Sequence, residues 1–417
     1  MEKVLALVYG LLSSRAYLLI SRCKKMMILD FPYVSPFLME TLKKHRIPVL
    51  KNDSSLQLND ESGLVLYSEE EFFRLYEKGT PLLSNSENTL STVLRYVGDT
   101  ALGDWILSLK DKGQFRKRTA DLYPDVVFRE VSLAELEAIR PDELTFPCVL
   151  KPAVGFFSMG VYLIDDAAEW EQAVQDLKNE LSMTAGIYPD HVFGTEKFLI
   201  ESRIDGDEFA VDVYFDDDGR PVVLNILKHL FHGEKDTSDR VYFTGKRVVE
   251  EMLGKVTEEV GEIGKRFGLK RFPIHIEFRL RSDGKLIPIE ANPLRFAGWC
   301  TTDIAGKAFD INPYEYFLFG KEPNWPAILA ELNDDYVYMV VADTGKVDQK
   351  EIESIDYEAF LSTFKEPLEL RRIDWRRYPV FAFVFARTND FTEMTKQLEH
   401  NFKVFFQLKN EKNQMNV

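Results

Sequence analysis

HIEFRLRSDGKLIPIEANPLRFAG, residues 275–298, is the stretch whose reading decides the fold. Alternation in HIEFRL places Glu277 on the strand face that carries His275 and Arg279. In KLIPIEAN (285–292) the two-residue spacing places Glu290 and Asn292 on one face. RSDG between the two runs is a strong hairpin-turn signal. Pairing about that turn brings the two glutamates side by side, so three oxygen ligands converge. Hard oxygen donors of this kind suit Mg²⁺ bridging nucleotide phosphates, and do not suit zinc. A polar cross-strand pair on a solvated hairpin is the competing reading. Like charges placed opposite one another destabilise a sheet, however, and the asparagine and arginine of ANPLRFAG ask for a reason.

Upstream, FPCVLK (146–151) is an apolar strand closed by Lys151 and followed by PAVGFFSMG (152–160). A lysine at a strand end, before a loop holding Gly155, Ser158 and Gly160, suits a phosphate cradle. There, backbone N–H groups meet phosphate oxygens while the ammonium neutralises charge. An ordinary turn explains the glycines as well. The loop is not a P-loop, since G-x-x-x-x-G-K-[ST] is absent, and Phe156 stands where G-x-S-x-G around Ser158 requires glycine. Further on, ESRIDGDEF (201–209) joins a strand to a kink that would present backbone groups to an adenine edge, with Glu208 placed for ribose hydroxyls. As an acidic surface turn it needs no ligand.

The surrounding pattern falls into three regions. MMILD (26–30), IPVL (47–50) and PLLS (81–84) read as short strands alternating with helical PFLMETLKKH (36–45), EEEFFRLYEKG (70–79) and ENTLSTVLRYVG (87–98). Such alternation indicates a parallel α/β layer, here 26–110. From 111 to 325 hairpin strands mix with helices, among them the amphipathic KRVVEEMLGKVTEEVGEIGKRFG (246–268), and the class becomes α+β. Residues 330–417 run β-α-β-β-α-β, the order of a ferredoxin-like subdomain. The aromatic pairs Phe72-Phe73 and Phe405-Phe406 read as core.

Five motifs in order resemble the ATP-grasp superfamily: DK (111–112), FPCVLKPAVGFFSMGV (146–161), FLIESRIDGDEFAVDVYF (198–215), HIEFRL and IPIEANPLRFAG (287–298). The resemblance spans roughly residues 100–310, with biotin carboxylase and D-alanine–D-alanine ligase as relatives in fold. It implies ATP as cofactor, with Lys112 and Lys151 on its phosphates, Glu201 and the Ser202–Ile204 backbone at adenine, and Glu208 at ribose. It implies Mg²⁺, or Mn²⁺ in its place, held by Glu277, Glu290 and Asn292. Arg295 would stabilise the transferred phosphoryl group or the tetrahedral intermediate. Lys117 competes with Lys112 as the first lysine; Lys112 is preferred because it follows Asp111. The implied activity is ATP-dependent ligation of a carboxylate to an amine through an acyl phosphate, releasing ADP and phosphate. A carboxylase acting on bicarbonate and a non-catalytic ATP-binding regulatory module are the alternatives. HLFHGEKDTSDRVYFT (229–244) is the expected substrate-facing loop, with Lys228, His232 and Arg240 as candidates for a carboxylate or phosphate; a solvated charged loop explains them equally.

Composition narrows the setting. Sixty-eight acidic against fifty-two basic residues leave a net charge of −16, which argues against general binding to nucleic acid or anionic membrane. Three scattered cysteines form no disulfide framework, consistent with a cytoplasmic enzyme. VLALVYGLLSSRAYLLI (4–20) is interrupted by Ser13, Ser14 and Arg15, too early for a membrane span. It is read as an N-terminal extension (1–25) ahead of a first strand at Met26, with a secretory signal as the rival. The expected partners are small carboxylates and amines, and a second copy of the chain in a homodimer.

Overall fold

Buried on both faces, Met26–Ile28 (β1) pairs in parallel with Pro48–Leu50 (β2) on one side and Leu82–Ser84 (β4) on the other, and Val65–Tyr67 (β3) adds beyond β2. Near-continuous apolar strands are what a parallel layer covered by helices requires. The computed structural model describes residues 25–58, 63–155, 160–184, 196–233, 235–236 and 238–409. The N-terminal apolar run and Ser158 lie outside them. Among the described residues no helix is long and apolar enough to cross a membrane.

A second sheet is antiparallel, in the order β5-β8-β6-β7: Phe128–Ser132, Lys197–Ser202, Cys148–Pro152 and Tyr162–Ile164. The helix Ala167–Thr184 packs on it through Trp170, Ala173, Leu177 and Leu181. A third, eight-stranded antiparallel sheet runs β13-β12-β9-β10-β11-β14-β17-β16. Its members are Asp207–Phe215 (β9), Pro221–Leu230 (β10), Val241–Gly245 (β11), Phe272–Leu280 (β12), Leu286–Pro293 (β13), Tyr336–Asp343 (β14), Pro367–Arg372 (β16) and Val380–Thr388 (β17). The helix Lys246–Phe267 lies on this sheet and buries Val249, Met252, Val256, Val260, Ile263 and Phe267, an i, i+3/i+4 stripe. Gly264 permits that approach: a Cβ there would stand 2.1 Å from the Phe215 ring.

The C-terminal strands depart from a self-contained ferredoxin-like unit. β14, β17 and β16 have the neighbours such a unit requires, but β11 occupies the place beside β14 that its last strand would take. Phe406–Leu408 (β18) pairs instead with Ile352–Ile355 (β15) in a separate ribbon. β11 falls within the stretch read as a substrate loop. Its five residues are all buried, and β14 satisfies its backbone from Val241↔Val340 to Gly245↔Tyr336. Phe72, Phe73, Phe405 and Phe406 are buried, as their sequence suggested.

The N-terminal layer meets the hairpin region directly. Ser84, at the end of β4, donates its backbone N–H to Leu294 O at 2.8 Å. Leu294 adopts a left-handed φ of 64°, a cost a non-glycine residue bears where its surroundings fix it. Both its backbone groups are used, its N–H reaching Pro273 O at 3.0 Å. The next residue, Arg295, is thereby aimed.

Candidate active site

The hairpin register puts Glu277 directly opposite Glu290, and His275 opposite Asn292. A bulge follows, with Phe278 opposite Pro288, so Ile289 is an extra residue beside Glu290. Both carboxylates line a cleft of about 600 Å³. Burial, together with the facing Glu290, raises the Glu277 carboxyl above its usual range, and His275 opposes this. Burial acts on Glu290 too, yet Lys112 and Lys110 outweigh it and hold that carboxyl below its usual range. Lys112 Nζ lies 3.2 Å from Glu290 Oε1. Asn292 is buried, and among the described residues no hydrogen-bond donor reaches its Oδ1.

An acceptor left without a donor beside two carboxylates is the donor set a hard divalent cation takes. These residues therefore fit Mg²⁺ or Mn²⁺. Among the described residues, no group of three or more His, Cys, Asp and Glu side chains is arranged to hold a metal. The two glutamates and the amide would need further oxygens, such as those of phosphates.

Lys112 opens the helix Lys112–Thr119, whose N-cap Asp111 accepts from Gln114 N at 2.9 Å. Its own N–H bonds Ala153 O at 2.8 Å, tying the helix to the glycine loop. Lys117 lies outward, its side chain 55% exposed and paired with Glu130 at 3.2 Å, so the cleft receives Lys112. Lys151, from β6, pairs with Glu201 of neighbouring β8. Arg116 grips the same carboxylate through Nε at 2.7 Å and donates to Pro288 O at 2.6 Å. Glu201 is fully buried; against that burial the two cations hold its carboxyl down to about 2. Burial lowers the Lys151 ammonium, with Glu201 opposing. The sequence reading placed Glu201 at the adenine edge. Its carboxylate is instead committed to these two cations.

Removing one partner of a buried ion cluster leaves an uncompensated charge. Arg116→Ala is expected to lower stability by about 3 kcal/mol, measured by urea unfolding. Because the folded Glu201 pKa is depressed, its stabilising contribution should be complete above about pH 4.5 and lost as pH falls through about 2.

Glu208, which also lines the cleft, sits between His229 Nδ1 at 2.8 Å and Arg279 at 2.8 Å. His229 stacks on Tyr242 at 4.2 Å, and Arg279 lies over Phe231 at 4.9 Å. Val149, Val161, Leu163 and Ile204 add an apolar part to the lining. Gly206, at φ 120°, passes so close to β12 that a Cβ would stand 2.0 Å from Leu280 O. The turn after β8 can only be made there with glycine.

The cleft thus gathers Lys112, Lys151, Gly155, Glu201, Ile204, Glu208, Glu277 and Glu290. Gly160, Ser202, Asn292 and Arg295 lie outside its lining: Gly160 N bonds Glu180 at 3.1 Å, Ser202 Oγ accepts from Val127 N at 3.2 Å, and the Arg295 guanidinium is held by Glu87 and by the Phe296 carbonyl at 2.9 Å. The three substrate candidates are not brought to it. Lys228 pairs with Asp207 at 2.6 Å, and His232 is exposed. Arg240 donates to the Leu398 and His400 carbonyls at 2.9 and 3.2 Å and to Asp343 at 3.0 Å, fastening the C-terminal helix to the sheet. Both terminal nitrogens of the guanidinium are thereby committed to the fold.

The sequence reading missed Glu87, Lys110, Arg116 and His229. Glu87, from the N-terminal layer, accepts from Arg295 Nε at 2.9 Å and pairs with Lys110. Lys110 also donates to Gly155 O at 2.9 Å, in the glycine loop. Burial opposes ionisation of Glu87, but Lys110 and Arg295 hold its carboxyl down to about 2. In sequence Glu87 shows only as an acidic residue after a capping serine.

Residues 144–303 match the model of the ATP-grasp domain. No curated protein sequence matches the chain. Among solved structures, an L-amino acid ligase from Bacillus licheniformis is similar, with a TM-score of 0.64 at 19% identity over 93% of this chain and 98% of that one. A biotin carboxylase from Campylobacter jejuni, in a β,γ-ATP complex, gives 0.60 at 12% identity over 92% of each chain. A carboxyaminoimidazole ribonucleotide synthase from Aspergillus clavatus, complexed with ATP, gives 0.61 at 13% identity over 90% of this chain and 96% of that one. The chain has the fold of these proteins and matches the ATP-grasp domain over residues 144–303.

Proposed function

We propose that this protein is an ATP-dependent ligase that activates a carboxylate as an acyl phosphate and passes it to an amine. The observation that carries the reading is the Glu277–Glu290 pair beside Lys112 in a cleft large enough for a nucleotide, with Asn292, whose Oδ1 has no donor among the described residues, two residues along the same strand from Glu290. In this reading Lys112 and Lys151 neutralise phosphate oxygens, and the Gly155 loop follows the phosphate chain. The backbone at Ser202–Ile204 meets adenine, and Glu208, steadied by His229 and Arg279, receives the ribose hydroxyls. Glu277, Glu290 and Asn292 hold the divalent cation, which supplies charge neutralisation between the phosphates when bound. Arg295, fixed by Glu87 and by the backbone at Leu294, faces the charge that builds during transfer. The chain then divides into a 26–110 layer, a 111–325 nucleotide-binding domain and a 330–417 subdomain, working in the cytoplasm on small molecules.

Purified full-length protein, ATP and Mg²⁺ should release ADP and phosphate when a suitable carboxylic acid is added, and hydroxylamine should intercept the activated acyl group as a hydroxamate. Formation of AMP and pyrophosphate would rule the acyl phosphate out. Stimulation by bicarbonate alone would favour a carboxylase, and no stimulation by any acid a binding module. Lys151→Ala should weaken ATP binding by ~1.5–3 kcal/mol, about ten- to a hundredfold, read by calorimetry. Arg116 still pairs with Glu201 in that variant, so the fold should persist.

A further inference from the structure

One buried row of polar residues crosses the central sheet beside Glu277 and Glu290, two residues along the same strands. Register places Asp212 of β9 opposite His275 of β12, and His275 opposite Asn292 of β13. Asp212 is wholly buried and His275 nearly so, at 0% and 5% exposure. Buried polar groups are expensive unless they bond well, so a row of this kind in a sheet interior calls for a cause. Asp212 Oδ1 accepts from His275 Nδ1 at 2.8 Å and from the backbone N–H of Ala297 at 2.7 Å. The other ring nitrogen, Nε2, lies 3.4 Å from Glu277 Oε1. One carboxylate therefore fastens both the ring that faces Glu277 and the turn that carries Arg295.

The two glutamates need such support unequally. Glu290 has Lys112 at 3.2 Å, while the ion pair of Glu277 is with His275. Like charges opposite each other on a hairpin push apart, and each needs its own counter-charge to stay within reach of one cation. His275 has freedom to swing about its side-chain bonds, and Asp212 removes it. The Ala297 bond adds a second constraint, since the segment from Leu294 to Ala297 is then pinned at both ends.

We propose that Asp212 and His275 are positioning residues for the divalent cation: Asp212 orients the His275 ring, and the ring holds the Glu277 carboxylate in line with Glu290 and Asn292. The proposal rests on the reading of Glu277, Glu290 and Asn292 as the metal ligands. Groups that orient metal ligands in this way typically carry a ten- to hundredfold share of metal affinity.

The test measures metal binding directly, without turnover. Full-length protein saturated with ADP is titrated with Mn²⁺, and free Mn²⁺ is followed by its paramagnetic resonance signal; metal-free ADP affinity and melting temperature are measured alongside. Asp212→Asn keeps an acceptor for Ala297 N–H but loses the charge on the ring. It should weaken Mn²⁺ binding about ten- to a hundredfold, with ADP affinity unchanged. His275→Gln keeps an N–H group able to reach Glu277 and should fall between wild type and His275→Ala. Should Asp212→Asn fail to fold, the histidine pair carries the test. Wild-type Mn²⁺ affinity in His275→Ala would overturn the proposal, as would parallel losses of Mn²⁺ and ADP affinity, which mark a merely structural role. Glu277→Gln separates the two levels: unchanged Mn²⁺ affinity there removes the ligand assignment itself, and the proposal falls with it. A loss in Glu277→Gln without a loss in the His275 variants overturns the positioning role alone.

Discussion

Glu290→Gln is expected to reduce Mg²⁺-dependent ADP release about 10²–10³-fold with the fold intact. The substitution keeps the shape of the side chain and removes one of the two anionic oxygens that face each other at Glu277↔Glu290. A metal at such a position supplies several kcal/mol of charge stabilisation, and each 1.36 kcal/mol is tenfold in rate. Two effects on stability offset one another. The repulsion with Glu277 disappears, while Lys112, buried and 3.2 Å from Glu290, loses its counter-charge. The melting temperature should therefore move little while turnover collapses. Steady-state ADP release against Mg²⁺ concentration, paired with thermal unfolding, gives the answer. Wild-type turnover with ordinary magnesium dependence would return the glutamate pair to a structural role.

Arg295→Ala is the second large effect, expected at about 10²–10³ in turnover, comparable with loss of one preorganised oxyanion donor. ATP affinity should fall much less, because the contact strengthens mainly in the transition state. The structure makes this variant testable. Arg295 shares Glu87 with Lys110, so the alanine leaves that buried carboxylate with a partner and the protein should still fold. The leucine before it keeps both backbone bonds, so the turn should hold. Single-turnover release of ADP, set beside calorimetric ATP affinity, separates the two terms. Equal losses in both would make Arg295 a ground-state binding residue.

Much of this site is legible because its geometry is local. Glu277 and Glu290 lie on two strands joined by a short turn, and period-two alternation with a recognisable RSDG turn is enough to set them face to face. The parallel N-terminal layer is legible for a similar reason: MMI, PVL and the two leucines of LLS form apolar runs because both faces are covered. β11 escaped because five residues after an acid-rich loop carry too little periodicity to stand out. Its identity as a strand comes from β14, supplied by residues almost a hundred positions later in the chain.

By itself the sequence determined three of the short parallel strands of the N-terminal layer, the hairpin that opposes two glutamates, and the lysine near the end of β6 ahead of a glycine loop. Only the tertiary structure decided which charges serve the cleft and which hold the fold. Arg116 meets Glu201 across 85 residues and Arg295 meets Glu87 across 208. Arg240 turned out to fasten a helix end 158 residues away. Alternation and turn chemistry reach only a few residues along the chain. A buried ion pair joins whichever charges the packing of separate sheets brings within about 3 Å, and no local pattern of the sequence encodes that meeting.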